Sequence, residues 1–173
     1  HDVTSETEWD KAIEAARQHL GGLSVLVNNA GIGLGGTIES TSYEVWKRSF
    51  AVNVDGAFLG CKAAMPLLRE NQPGSIINIS SIAGLIADAG LTPYNASKAA
   101  VWMLTKSVAL HCAREGLDLR CNSVHPAFVD TAILDNFRRS AEIPRETVLG
   151  KLARQLPQGR LGTAEEVALG VLY

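Results

Sequence analysis

Short apolar stretches alternate along this chain with longer segments of helical periodicity. Three stretches have the length of β-strands: residues 23–27, residues 75–79 and residues 117–124, the last of which is closed by Pro126. Apolar positions recur at helical spacing around them, which predicts helices over residues 9–20, 42–69 (with a break near 52–55), 93–114, 132–157 and 163–173.

Residues that favour helix ends support these boundaries. Gly21 and Gly22 follow the first helical pattern, where glycine commonly ends a helix. Pro93 fits the first turn of the helix over 93–114, because that turn needs no donor at the position. Thr163 stands three residues ahead of Glu166, a capping-box pattern that predicts the start of the last helix.

The order of the elements predicts the fold class. Strands that are apolar throughout are typical of sheets buried on both faces, and strands separated by helices imply right-handed crossovers between parallel strands. We therefore predict an α/β fold, a doubly wound parallel sheet with helices on both faces, as a single domain over residues 1–173. Residues 2–4 have the pattern of a strand exit and residues 171–173 end within an apolar helix, so we expect segments of the domain to be absent at both ends.

Charge and composition narrow the class of protein. The 173 residues carry 16 basic and 18 acidic side chains, a net charge of −2, which predicts no broad cationic surface for nucleic acid or acidic membranes. We interpret two basic groups, Arg138-Arg139 and Lys151/Arg154/Arg160, as solvated helix faces. No apolar run reaches the ~18 residues of a membrane-spanning helix, and the first residues lack the pattern of a secretory signal.

Cysteine and histidine positions give no sign of disulfides or of a metal. Cys61, Cys112 and Cys121 form no CxxC pair, and we interpret them as buried reduced thiols of a cytoplasmic protein. The histidines are scattered and no carboxylate cluster has metal-ligand spacing, so no metal site is predicted. We expect His125, beside Pro126, to make a structural hydrogen bond.

A glycine-rich string follows the first strand. Residues 31–36 (GIGLGG) satisfy the pattern GxGxxG, which holds a phosphate when it leads directly into a helix, at whose first amides the phosphate binds. Here residues 37–41 have a poor helical pattern. We therefore expect a mobile loop at the rim of a site rather than a phosphate cradle.

Tyr94 and Lys98 are the strongest candidates for chemistry. Their spacing places both side chains on one face of the predicted helix, one turn apart. Tyrosine, with a pKa of ~10, is a poor base at neutral pH, but a nearby ammonium favours the phenolate, so the pair can exchange a proton near pH 7. By itself this spacing is common and usually marks an exposed helix face.

Other polar groups are predicted at one edge of the sheet. Ser81 follows the strand over 75–79, residues 28–31 (NNAG) follow the first strand, and Asn53 falls at the expected helix break. In open parallel sheets, ligands bind beyond the carboxyl ends of the strands. Together with Tyr94, these groups predict a site at that edge.

At this point the sequence resembles the short-chain dehydrogenase/reductase family, of the ordinary single-domain type. The matching segments occur in family order and span nearly all of the chain: DVT (2–4), NNAG (28–31), NVDG (53–56), IINISS (76–81), YNASK (94–98), CNSVHP (121–126) and RLGTAEEVA (160–168). The resemblance implies an NAD(P)-binding Rossmann fold that in this chain lacks the N-terminal βαβ part, with its phosphate loop, and the C-terminal strand.

The resemblance implies catalytic roles for four residues. Tyr94 would be the general acid/base toward the substrate oxygen, and Lys98 would lower the pKa of Tyr94 and bind the nicotinamide ribose. Ser81 would orient the substrate carbonyl or hydroxyl, while Ser80 fits a structural position. Asn53 would fix the helix break and a water that relays protons from Lys98.

The implied cofactor is NAD or NADP. The resemblance implies that Asp2 and Val3 contact adenine and that Asn29, Ala30 and Gly31 line the adenosine ribose. Pro126, Val129 and Thr131 would hold the nicotinamide end. Lys98, through the nicotinamide ribose, and Tyr94 would also belong to the cofactor site. One departure concerns residue 127, where alanine replaces the usual glycine. Its methyl group would crowd the nicotinamide unless φ stays negative.

The implied reaction is the interconversion of a secondary alcohol and a ketone by hydride transfer. Five apolar residues are candidates for the substrate pocket, which favours a hydrophobic or cyclic substrate over a phosphorylated sugar: Ile82, Leu91, Phe128, Ile133 and Leu134. In the other interpretation, some of them belong to the core.

Two other functions remain open. A truncated relative could act as a non-catalytic scaffold or subunit. An extended-type epimerase or dehydratase would share Tyr-x-x-x-Lys, although the compact spacing and the segment 121–131 disfavour it.

The helices over 42–69 and 93–114 carry apolar residues on more than one side. A helix that is apolar all round must be buried, and the sheet can cover only one face, so we predict a homo-oligomer. The resemblance implies a dimer or tetramer.

Overall fold

A three-stranded parallel sheet forms the centre of the protein. The computed structural model describes residues 1–137 and 143–173. Its strands are β1 (Val25–Asn28), β2 (Gly74–Ile79) and β3 (Leu119–Val124), in the order β1-β2-β3. Leu26 lies opposite Ile76, and Ile76 opposite Cys121. All three predicted strands are confirmed, as is the predicted α/β class with a parallel sheet flanked by helices.

Helices connect the strands and continue after β3. They are α1 (Glu6–Leu20), α2 (Tyr43–Phe50), α3 (Gly56–Glu70), α4 (Thr92–Arg114), α5 (Arg145–Ala153) and α6 (Ala164–Leu172). Short 3-10 turns occupy Ile82–Gly84 and Ala132–Phe137. No helix among the described residues is both long and apolar enough to cross a bilayer.

The predicted helix ends are confirmed by their local geometry. Gly21 ends α1 at φ +76°, a left-handed conformation that glycine adopts without a steric penalty. Pro93 lies in the first turn of α4. At α6 the Thr163 hydroxyl accepts from the Glu166 amide while the Glu166 carboxylate accepts from the Thr163 amide, which completes the capping box.

The helical segment over 42–69 is interrupted at the predicted place, and the interruption is a π-helical turn. Ala51–Asp55 form this turn between α2 and α3, so the chain stays helical while the register shifts. Such bulges insert an extra residue into a turn and frequently occur at functional sites. Here the turn contains Asn53, which is buried.

One face of the sheet carries the main core. Leu26, Ile76 and Cys121 lie on this face and are packed with residues of α1, α3 and α4. Burial on both faces, expected for every strand, holds only for β2. In β1 exposed and buried residues alternate, and Val25 and Val27 are 52% and 41% exposed. Within the described residues the main contacts of β1 are with β2 and with α3, which lies on the core-facing side of the sheet.

Polar and thiol side chains lie within this core. Cys61, Cys112 and Cys121 are free and buried, as predicted. Burial raises the pKa of Cys61 to about 11 and that of Cys121 to about 12, so both stay protonated at neutral pH. Asn28 donates to Asn78 across β1 and β2 at 2.8 Å, and Asn78 donates in turn to a threonine of α4 at 2.9 Å.

One expectation about the chain outside the sheet was only partly met. Residues 3–4 lie in a turn, in which the Asp2 carboxylate accepts from the amide and the hydroxyl of Thr4. The predicted helical insert over 132–157 contains a 3-10 turn and α5. Residues 138–142, including Arg138-Arg139, lie outside the described residues, while Lys151/Arg154/Arg160 are exposed as expected.

Candidate active site

Four polar side chains predicted from the sequence are buried at the carboxyl edge of the sheet. Ser81 follows β2 and caps the first 3-10 turn, Asn53 lies in the π-helical turn, and Tyr94 and Lys98 lie in the first turns of α4. Their exposed fractions are between 2% and 8%. Buried polar groups are costly unless they are hydrogen-bonded, so the partners of these four define the site.

Tyr94 and Ser81 share a hydrogen bond between their side chains. Burial raises the pKa of the Tyr94 phenol, and the bond with Ser81 offsets part of that rise. The Ser81 hydroxyl also accepts from the Ala83 amide at 3.1 Å. The serine is therefore fixed by the backbone on one side and by the phenol on the other.

Lys98 lies one helical turn from Tyr94, with its Nζ 5.8 Å from the centre of the tyrosine ring. The ammonium donates to the carbonyl of Ile79 at 2.8 Å. Burial lowers the pKa of Lys98 to about 8. Burial is the largest influence on the pKa of Tyr94 and raises it, so a neighbouring ammonium would have to act against burial to favour the phenolate.

Asn53 binds the loop that follows β1. Its Oδ1 accepts from the amide of Ile32 at 2.8 Å, and its Nδ2 donates to the carbonyl of Ile32 at 3.0 Å and to the hydroxyl of Ser97 at 3.0 Å. The loop passes close to the lysine, since a Cβ on Gly31 would lie 3.3 Å from both Asn53 Oδ1 and Lys98 Nζ. A side chain there would crowd the ammonium, so the glycine keeps this edge open.

The segments that follow β2 and β3 are joined beside Ser81. The Ile82 amide donates to the Pro126 carbonyl at 2.9 Å. His125 makes the predicted structural hydrogen bond, with its Nδ1 3.1 Å from the Ser81 carbonyl and its Nε2 2.8 Å from the Ser123 hydroxyl. Ser80 points the other way and donates to the Lys98 carbonyl at 2.8 Å, a purely structural contact.

The glycine-rich string over 31–36 does not lead into a helix. Gly36, at φ +149°, donates to the Gly90 carbonyl at 2.7 Å and accepts from the Thr92 amide at 3.0 Å. This bridge pairs Gly36 with Leu91 and so ties the string to the segment just before α4. The helix that follows begins only at Tyr43, so no helix N-terminus stands behind the glycines and the phosphate cradle is not formed.

The residues predicted to hold the cofactor form two groups. Asn29, Ala30 and Gly31 are exposed at the end of β1. Nearby, Val3 packs against Gly56, where an added Cβ would come within 2.9 Å of the valine, and Asp2 lies exposed in its turn.

The second group follows β3. Pro126 and Val129 line a depression together with Phe128, a predicted pocket residue, and its far wall includes Thr163 and Glu166. Among the described residues none other than glycine has positive φ, so Ala127 meets the condition under which its methyl group is tolerated.

The remaining predicted positions lie around the 3-10 turns. Ile82 begins the first turn and is partly buried. The carbonyl of Thr131 accepts from the amide of Leu134 at 3.2 Å. Ile133 is partly buried, whereas Leu134 is only 6% exposed. Leu134 is therefore packed in the interior, in line with the other interpretation that part of this set is core.

Comparison with known proteins agrees with this geometry. The family model described as short chain dehydrogenase matches residues 1–142. The chain belongs to this family. It is 34% identical to an NADP-dependent (R)-specific alcohol dehydrogenase of Lentilactobacillus kefiri, over 100% of this chain and 67% of that protein. It is 41% identical to a 2,5-dichloro-2,5-cyclohexadiene-1,4-diol dehydrogenase of Sphingobium indicum, over 99% and 65%.

Solved structures of family members superimpose closely. The ligand-free aldohexose dehydrogenase of Thermoplasma acidophilum matches with a TM-score of 0.91 at 36% identity, over 99% of this chain and 68% of that one. ElxO with NADP bound matches with a TM-score of 0.86 at 32% identity, over 99% and 67%. The chain thus spans about two thirds of the length of the relatives it matches.

Several residues of the site were not found by sequence reasoning. Ser97 and the backbone of Ile32 complete the hydrogen bonds of Asn53, and Asn78 links β1 to α4. A buried asparagine inside the apolar stretch SIINI was a usable signal for Asn78. For Ser97 there was no signal, because a serine in a helix is ordinary and its partner lies 44 residues away.

Proposed function

We propose that the protein is an NAD(P)-dependent oxidoreductase that interconverts a secondary alcohol and a ketone. The observation that carries the proposal is the buried hydrogen bond between the Tyr94 phenol and the Ser81 hydroxyl, with the Lys98 ammonium one turn further along α4. A phenol beside a hydroxyl and a cation is suited to exchange a proton with a substrate oxygen. Its place at the carboxyl edge of a parallel sheet is where ligands bind in such folds.

In this proposal the protein positions the reactants and moves one proton. Ser81 donates a hydrogen bond to the substrate oxygen, and Tyr94 takes the hydroxyl proton during oxidation or returns it during reduction. Lys98 supplies positive charge beside the phenol, and Asn53 holds the Gly31 loop and a water that passes protons on from Lys98. NAD or NADP, when bound, accepts or donates the hydride.

The residues available for the cofactor fit a nicotinamide dinucleotide. Gly31 leaves space next to Lys98 Nζ, where a ribose hydroxyl can accept from the ammonium. We propose that Asn29, Ala30 and Gly31 line the adenosine ribose, that Asp2 and Val3 contact adenine, and that Pro126, Val129 and Thr131 hold the nicotinamide end. Two relatives with "NADP" in their descriptions support the cofactor class.

We propose a hydrophobic or cyclic alcohol as the substrate. The apolar residues around the site, Ile82, Leu91, Phe128 and Ile133, favour burial of an apolar body. Relatives whose names include a cyclohexadiene diol and a hydroxysteroid, the latter from Comamonas testosteroni at 40% identity, support a ring substrate.

We also propose a cytoplasmic homo-oligomer, a dimer or tetramer. Phe58 on α3 and Met103 and Leu110 on α4 are 48%, 55% and 59% exposed. Phe58 also belongs to an apolar groove between these helices, together with Met65 and Val108. Exposed apolar surface of this extent supports association. Light scattering of the purified protein at micromolar concentration should give a dimer or tetramer mass, and a clean monomer would contradict the proposal.

The test of the function uses the natural polypeptide that carries residues 1–173. Purified protein is incubated with NAD or NADP and a panel of secondary alcohols, including cyclohexanols and hydroxysteroids, and reduced cofactor is followed by absorbance. Tyr94→Phe serves as the control for background activity. Turnover that depends on Tyr94 supports the proposal. A protein that binds cofactor without turnover would indicate the scaffold, and isomerisation of a sugar nucleotide without net change of cofactor would indicate the epimerase.

A further inference from the structure

We infer that Ser97 is a positioning residue for the proposed reaction, acting through Asn53. Ser97 lies in α4 between Tyr94 and Lys98, and its exposed fraction is 0%. Its hydroxyl does not belong to the four groups assigned to the reaction. In the described part of the chain, Ser97 is nevertheless the only residue whose side chain hydrogen-bonds to the Asn53 amide, because the other two bonds of that amide are with the backbone of Ile32. The inference rests on the proposed function.

The proton of the Ser97 hydroxyl decides the direction of this contact. The hydroxyl donates to the carbonyl of Tyr94 at 2.9 Å, and a carbonyl can only accept. A hydroxyl has a single proton, so towards Asn53 its oxygen must accept. The group at 3.0 Å is therefore the Nδ2 amide of Asn53 acting as donor, and the serine helps to fix which way the asparagine amide is turned.

That orientation is the one in which Asn53 can hold the loop after β1. With Nδ2 towards Ser97, Oδ1 accepts from the Ile32 amide and the second Nδ2 hydrogen reaches the Ile32 carbonyl. A reversed amide would place donor against donor at Ile32. Because the loop at Gly31 borders both Asn53 Oδ1 and Lys98 Nζ, the Ser97 hydroxyl links the helix that carries Tyr94 and Lys98 to the loop that faces them.

Removal of the hydroxyl leaves one Nδ2 hydrogen of Asn53 buried without its partner. A buried donor that loses its acceptor destabilises the arrangement that contains it. We expect the amide of Asn53 to populate other orientations in Ser97→Ala, and the Ile32 amide to lose its acceptor part of the time. The effect should be local, because neither Tyr94 nor Lys98 loses a side-chain contact.

The test measures the Ile32 amide directly and does not depend on activity. Hydrogen exchange followed by NMR should be at least about tenfold faster at the Ile32 amide in Ser97→Ala, which corresponds to ~1.4 kcal/mol. Ser107→Ala is the matched control, because that hydroxyl also donates to a carbonyl of α4, at 3.2 Å, but is exposed. The control should leave exchange at Ile32 unchanged. Unchanged exchange in Ser97→Ala would overturn the inference.

Kinetics separate positioning from general loss of structure. In Ser97→Ala we expect kcat to fall about tenfold, with KM for the alcohol within about twofold of the wild type. In an Asn53→Ala background the same substitution should cost nothing further, because residues that act as a unit are not additive. Additive losses would refute an action through Asn53.

A second variant tests the inference if Ser97→Ala folds poorly. Ser97→Cys keeps a polar side chain of the same branching, with a larger sulfur that is a weaker acceptor. Its Ile32 exchange rate should lie between those of the wild type and Ser97→Ala. If the alanine variant cannot be purified, the rate of Ser97→Cys is compared with the wild type alone and should be higher. Exchange in Ser97→Cys equal to the wild type would count against the inference. A wild-type protein without alcohol-dependent turnover would refute the proposed function, while the exchange experiment would still decide the role of Ser97.

Discussion

Replacement of Lys98 by methionine should remove a defined part of the pH dependence of stability. The Lys98 side chain is 4% exposed, and burial lowers its pKa from the ordinary 10.5 to about 8. In the unfolded chain the lysine stays protonated up to its ordinary pKa. Between pH 8 and 10.5 the unfolded state therefore binds more protons, and the free energy of unfolding contributed by this group rises with pH.

The size of the effect follows from the two pKa values. At ~1.36 kcal/mol per pKa unit, the difference between 10.5 and about 8 corresponds to about 3 kcal/mol in total. Most of it, about 2 to 3 kcal/mol, should be gained by the wild type between pH 7 and pH 10. The buried thiols Cys61 and Cys121 act in the opposite sense above pH 9, because their pKa values are raised by burial. They are common to both proteins and cancel in the difference.

The assay is urea unfolding of the wild type and Lys98→Met at intervals from pH 7 to pH 10. The two free energies of unfolding should change relative to one another by about 2 to 3 kcal/mol over that range, with the wild type gaining as pH rises. Lys106→Met is the matched control, since Lys106 is an exposed lysine of the same helix, and its curve should run parallel to the wild type. Parallel curves for Lys98→Met would refute the assigned burial of the ammonium.

Two further predictions concern the site and the core. Tyr94→Phe should lower kcat by about 10²-fold or more, in the range of general acid–base catalysis, with cofactor affinity nearly unchanged. Steady-state rates measure the first effect, and titration of NAD(P)H fluorescence measures the second. Retention of more than about a tenth of the activity would remove Tyr94 from the acid/base role. Gly60→Ala should lower the free energy of unfolding by about 1–3 kcal/mol, because its Cβ would come within 2.9 Å of the Trp9 ring and closer still to Asn28. Gly150→Ala should instead raise the free energy of unfolding by up to about 1 kcal/mol, because its Cβ would meet nothing within 4 Å. Thermal unfolding of both variants measures the two effects. Equal effects would contradict the packing described for Gly60.

The sequence alone was enough for most of the elements and for the choice of the four central polar groups. Residues 75–79 and 93–114 were predicted within one residue of β2 and α4, because short apolar stretches and proline or capping residues act locally. Tyr94 and Lys98 are one helical turn apart, so their common face depends on backbone geometry that every α-helix shares. Ser81 could be placed at the same sheet edge as residues 28–31 because parallel strands end on one side, whereas Asn53 was singled out by the expected break in its helix.

The tertiary structure decided which groups touch and how their charges behave. Ser97 meets Asn53 across a separation of 44 residues, a contact that no local pattern encodes. The sequence pointed to the Lys98 ammonium as an influence on the pKa of Tyr94, but it gave no sign that burial would be the largest influence and would raise that pKa. Solvation depends on everything packed around a group, which the spacing of two residues in a helix does not encode. The exposure of Val25 and Val27 on β1 likewise depends on which helices cover the sheet. Spacing along a chain determines the face on which a residue lies, and only packing determines what that face meets.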